Sequence, residues 1–252
     1  AQISVGGTNY PLMDAGLIYN FTGTLDDVNP EEADPYSGSC STTVKWAFDP
    51  ATGTLTISGT GEMPGFSYHT QPYASYKNSV KHIVVEPGIT TVGDYAFTYC
   101  PAKTVTLPDN ITSIGEFAFA SAAFTSIDIP ETVTSIGNYA FNACNRLEEI
   151  LLPEGLTQIA GNTFNGCSSL TSINIPSAVT SCGYCAFSGC DSLEAVYITD
   201  MAAWCEIKFE ESGASPSNPL HYANNLYLNG EKVTNLVIPN RSGSTGGNYE
   251  TR

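Results

Sequence analysis

The residues with the most reactive chemistry in this 252-residue chain are eight cysteines and three histidines. Cys182-Gly-Tyr-Cys185 has the C-x-x-C spacing of a redox pair or of half a zinc site. A zinc site needs four ligands, and neither a second C-x-x-C nor a nearby histidine supplies the other two. His69, His82 and His221 fall in three separate segments, so no Ser-His-Asp triad and no acid–base pair can be argued from spacing. No phosphate-binding glycine loop occurs. The chain therefore reads as non-enzymatic, with no metal and no cofactor. Thiol or metal chemistry at Cys182 and Cys185 is the weaker rival reading.

Four of the other six cysteines explain themselves once the elements that carry them are found, while Cys40 and Cys205 lie in the flanks. Cys100, Cys144, Cys167 and Cys190, with Ala122 completing the file, each lie three residues past a phenylalanine: Phe97, Phe119, Phe141, Phe164 and Phe187. A third file is Pro87, Pro108, Pro130, Pro153 and Pro176. Three files drifting together by 21–23 residues mark an internal repeat. One unit runs from Leu170 to Cys190. Ile173 and Ile175 alternate with Ser172 and Asn174, the period of a strand with one buried face. Pro176 ends that strand because it has no N–H for a ladder. Val179 and Cys182 point inward from a second short extended piece, and Ala186-Phe187 closes the coil in a tight turn of 3₁₀ or α-helical type. A unit this small cannot cover its own apolar face, but stacked copies can. Cys182 falls in the inward file of Val92, Ile114, Ile136 and Ile159, where it acts as a small hydrophobe. In-register coils lie about 4.8 Å apart, beyond the Cβ separation of about 3.5–4.5 Å that a disulfide wants. The cysteine file is thus expected to be buried free thiols.

The fuller pattern I-P-x-x-V-T-S-I-G-x-Y-A-F-x-x-C stands here as Ile129 to Cys144, I-P-E-T-V-T-S-I-G-N-Y-A-F-N-A-C. It resembles the BspA-like (Treponema-type) branch of the leucine-rich repeats, over residues 80–199. That resemblance implies a leucine-rich-repeat solenoid, with a β-strand, a short second strand and a 3₁₀ or helical turn in each coil of 22–23 residues. It also implies a bacterial surface protein acting in adhesion.

The flanks read as caps. Within 37–79, Val44–Phe48 and Leu55–Ser58 alternate on either side of a D-P-A-T-G turn, giving an N-terminal β-hairpin cap. Over 200–240, Asp200 is placed to N-cap a short helix, Asn229-Gly230 to turn a hairpin, and Leu236–Pro239 to begin another repeat strand. Residues 241–252 read as a flexible tail. Residues 1–36 are unassigned: Ile3, Val5, Leu17, Tyr19 and Phe21 suggest one or two strands, and Asp26 to Asp34 a loop. Ala1 in place of Met suggests a processed product, which hints at secretion, and the strand at Leu236 suggests a fragment of a longer array.

Charge narrows the partner class. The net charge is −16, from nine Lys and Arg against 25 Asp and Glu. Such a chain repels nucleic acid and anionic lipid. No run of 18 apolar residues offers a membrane span. The outward strand positions form two files. One is His82, Thr104, Ser126, Glu149, Ser172 and Ala195; the other is Val84, Thr106, Asp128, Leu151, Asn174 and Tyr197. This face is the expected binding surface for a protein ligand, on a secreted or cell-surface module. The alternative is a spacer array that presents another domain.

Overall fold

The computed structural model describes residues 2–5, 8–11, 34–210 and 217–234. The chain forms two units, 1–33 and 34–252. In the first, β1 (Gln2–Val5) and β2 (Thr8–Pro11) pair antiparallel, with Ile3 opposite Tyr10. Leu17, Tyr19, Phe21 and the stretch from Asp26 to Ala33 lie outside the described residues, as do Leu236–Pro239 and the tail.

The second unit opens with β3 (Ser37–Ser39), β4 (Val44–Asp49) and β5 (Thr54–Gly59), paired antiparallel in that order. Strand β4 alternates strictly, with Val44, Trp46 and Phe48 buried. Gly53, at φ +75°, makes the turn between β4 and β5. β5 is also the first rung of the solenoid. It pairs parallel with β7 (His82–Val85), and β6 (Gly61–Glu62) pairs parallel with β8 (Ile89–Val92). The array thus starts one coil before the first repeat legible in the sequence.

Each later coil contributes one strand to each of two files. The first file continues through β9 (Thr104–Thr106), β11 (Ser126–Ile127), β13 (Glu149–Ile150), β15 (Ser172–Ile175) and β17 (Ala195–Ile198). The second holds β10 (Ser113–Ile114), β12 (Ser135–Ile136), β14 (Gln158–Ile159) and β16 (Ser181–Cys182). Partners lie 22 or 23 residues apart, such as Ile83 with Val105 and Ile127 with Ile150. Short α1 (Met201–Glu206) follows β17, with Asp200 Oδ1 accepting from the N–H groups of Ala202 and Ala203. β18 (Lys208–Phe209) then extends the second file beside β16. β19 (Asn225–Leu228) extends the first beside β17 and folds back on β20 (Glu231–Lys232).

The interior contains a file of rings among buried aliphatic residues. Phe97, Phe119, Phe141, Phe164 and Phe187 stack in succession with centroids 5.4–5.7 Å apart and planes within 20°. None is more than 1% exposed. Each such burial is worth roughly 1.5–3 kcal/mol. Tyr73 stacks on Phe97 at 6.3 Å and donates its hydroxyl proton to the Ala96 carbonyl at 2.7 Å, closing the N-terminal end.

The coil is closed by a left-handed turn in place of a helical one. Tyr95, Phe117, Tyr139, Asn162 and Cys185 all have φ of 53–58°, and Tyr99, Ser121 and Ala143, four residues on, have φ of 55–60°. Such values are uncommon outside glycine. They are held because the alternation turns every second N–H toward the following coil. Tyr139 donates to Gly161, Phe141 to Thr163 and Ala143 to Asn165, at 2.6–3.1 Å. A third hydrogen-bonded ladder therefore joins the coils at the turns. Each bond contributes about 0.5–1.5 kcal/mol net, which offsets a left-handed cost of about 1–2 kcal/mol per residue.

Candidate binding face and its relatives

The first strand file carries the outward positions. Ser126, Asp128, Glu149, Leu151, Ser172, Asn174 and Tyr197 line one shallow depression of about 400 Å³, floored by buried Ile127 and Ile150. His82, Val84, Thr104 and Thr106 lie on the N-terminal part of the same file and outside that depression. His82 is half-buried, and its Nδ1 meets Thr104 Oγ1 at 2.8 Å. Val84 is half-buried as well. Ala195 is buried, so the first outward file ends at Ser172. Leu151 is 65% exposed and Tyr197 41%, large apolar groups beside the carboxylates of Asp128 and Glu149.

Two details of this face are invisible in the repeat pattern. Asn174 bridges to the preceding coil: its Oδ1 accepts from Leu152 N–H at 2.7 Å, and its Nδ2 donates to the Leu152 carbonyl at 2.9 Å. The amide thus stands in for a strand partner where β13 is too short to reach. Tyr227, on β19, stacks against Tyr197 at 4.9 Å and 23°, widening the aromatic end of the face. An N-G turn flanked by alternating residues marks the hairpin in the sequence, but only the parallel pairing of β17 with β19 places Tyr227 beside Tyr197.

Buried cysteines hydrogen-bond to backbone carbonyls. Cys144, Cys167 and Cys190 each donate an S–H to the carbonyl of the preceding coil's phenylalanine, Phe119, Phe141 and Phe164, at 3.2 Å. Cys182 donates to the Ser217 carbonyl at 3.1 Å. Burial pushes the thiols of Cys100, Cys144, Cys182 and Cys190 up to about 12, so they are protonated and poor nucleophiles. Cys185 is buried and Cys205 exposed, and all eight thiols are free. Among the described residues no three His, Cys, Asp or Glu side chains are grouped to hold a metal. His69 Nδ1 meets Lys77 Nζ at 2.9 Å, in a surface cluster apart from the sheet face. No helix of the described residues is long and apolar enough to cross a membrane.

Comparison with solved structures finds similar chains. A Treponema pallidum leucine-rich-repeat protein is 20% identical, covers 63% of this chain and 81% of its own, and superposes with a TM-score of 0.50. A leucine-rich-repeat protein from Bacteroides ovatus is 24% identical over 64% of this chain and 55% of its own, with a TM-score of 0.42. The pneumococcal vaccine antigen PcpA is 17% identical over 64% of this chain and 49% of its own, with a TM-score of 0.48. No match is found among the curated proteins. Residues 69–194 match the BspA type leucine rich repeat region in six copies. That match spans half of the chain, and the stacked coils have the fold it calls for: the chain belongs to the BspA-type leucine-rich-repeat family.

Proposed function

We propose that this chain is a non-catalytic, extracellular or cell-surface module of a bacterium that captures a protein ligand on the sheet face, in adhesion or host interaction. The observation that carries this reading is the depression around Leu151 and Tyr197. Large exposed apolar groups beside two carboxylates form an anchor-and-rim arrangement of the kind that protein interfaces use. The fitting partner offers an apolar or aromatic side chain for the space between Leu151 and Tyr197. Around it the partner carries Lys or Arg to meet Asp128 and Glu149. The chain's charge of −16 favours encounter with such a basic surface.

The test is surface plasmon resonance against a panel of immobilised host extracellular proteins. For any protein bound by the wild type, Leu151→Ala with Tyr197→Ala is expected to cost about 2 kcal/mol or more, roughly thirtyfold in Kd. Glu149→Lys is expected to slow association and flatten its salt dependence. Binding that ignores all three substitutions would leave the face a bare spacer wall.

A further inference from the structure

A second surface feature lies on the turn side of the coils, away from the sheet face. Tyr95, Phe117 and Tyr139 share one position in successive coils, and their rings stack at 4.8 Å and 19°, then at 4.4 Å and 4°. Because Tyr139 lies parallel to Phe117, its other face looks toward the next coil. There the file breaks. The preceding coils read V-G-D-Y, I-G-E-F and I-G-N-Y, but the next reads Ile159-Ala160-Gly161-Asn162. Gly161 removes the side chain that Asp94, Glu116 and Asn138 supply, and Asn162 replaces the ring. Asn162 is also drawn aside, its Oδ1 accepting from Asn165 Nδ2 at 3.2 Å.

The missing ring leaves a slot of about 360 Å³. Tyr139 and Tyr184, the latter 42% exposed, both line it. Its polar edge is Asn138, Gln158, Asn162 and Glu210. Two of these groups are fixed in place: Asn138 Oδ1 accepts from Gly161 N–H at 2.9 Å, and Glu210 Oε2 from Tyr184 N–H at 3.1 Å.

We propose that this interrupted rung is a binding slot for a neutral pyranose ring, one sugar unit of a glycan. Coils are spaced about 4.8 Å apart, so one absent aromatic ring leaves room for one six-membered ring at van der Waals distance from Tyr139, about 3.5–4.0 Å. A pyranose presents an apolar C–H face for the tyrosine and a girdle of hydroxyls that both donate and accept. Three amides and a carboxylate match that girdle. An aromatic side chain in the same slot would offer the N–H groups of those amides no acceptor. The Glu210 carboxylate opposes uronic and sialic acids by like charge.

The experiment is an NMR titration of the ¹⁵N-labelled chain with cellotetraose, mannotetraose and chitotetraose. Sialyllactose and N-acetyltyrosinamide serve as rivals. The expected result is saturable shifts at Gly161 and Asn162 with at least one neutral oligosaccharide and with neither rival. Asn162→Tyr refills the file with a residue type already held at this backbone conformation, Asn162 at φ 57° and Tyr139 at 58°. It is expected to abolish those shifts. Should that variant fail to fold, exposed Gln158→Ala is expected to weaken binding roughly fivefold, the loss of about one hydrogen bond. Absence of binding by all three sugars overturns the proposal. So does a preference for either rival, or binding that Asn162→Tyr or Gln158→Ala leaves unchanged. Leu151→Ala with Tyr197→Ala is expected to leave sugar binding intact, so this inference and the sheet-face reading fail separately.

Discussion

Replacing Phe141 by alanine tests the stacking of coils at its centre. Phe141 is fully buried between Phe119 and Phe164, each 5.7 Å away, with Phe124 packed edge-on at 6.5 Å. Coils above and below hold the backbone through three ladders, so the cavity cannot collapse readily. The expected loss is about 3–5 kcal/mol, against a total stability of about 5–15 kcal/mol for a domain. A second consequence follows from the linear architecture. Each coil touches only its neighbours, so a weak rung in the middle decouples the two halves. Urea denaturation followed by circular dichroism should therefore show a lower midpoint and a smaller m-value, or two separate steps. The control is Phe117→Ala, in the outer ring file. Phe117 is half-exposed, and its two stacking contacts are worth about 0.5–1.5 kcal/mol each. A loss below about 1 kcal/mol for Phe141→Ala, or one equal to that of Phe117→Ala, would refute the claim that the inner file holds the coils together.

Four further outcomes follow from the same structure. Asn174→Ala strips the Leu152 N–H of its partner and should cost roughly 1–3 kcal/mol, with faster hydrogen exchange at that amide as the local signature. Gly137→Ala should destabilise by about 1–3 kcal/mol, because the added Cβ would lie 2.7 Å from the Glu116 backbone nitrogen of the coil before it; lowered thermal stability checks this. Thiol labelling near pH 8 should modify exposed Cys205 first and the buried file only on unfolding. The raised thiols of Cys100, Cys144, Cys182 and Cys190 give a stability term that is fully present below the ordinary value of 9.0. The folded state holds these protons longer than the unfolded chain, so the term is lost as pH rises from there toward about 12. Stability that rises with pH across that window would contradict this.

The sequence alone determined the rungs and which way each residue faces. A period of 22–23 residues, with Ile and Phe recurring at fixed offsets, leaves one arrangement in which every apolar group finds cover. It also placed Cys182 and the cysteine file inside and Leu151 and Tyr197 outside, because strand alternation admits only two faces. Tertiary structure decided what depends on groups meeting across coils. The left-handed turns are one such feature: local propensity disfavours them, and only the N–H bonds to the next coil hold them. Asn174 is another, since an amide in an outward file gives no sign that it is bound to Leu152. Tyr227 reaches the sheet face beside Tyr197 through a pairing that skips α1 and the segment after it. The letters of the break at Ala160-Gly161-Asn162 are plain in the sequence, but they form a slot only because Tyr139 turns a ring face toward it.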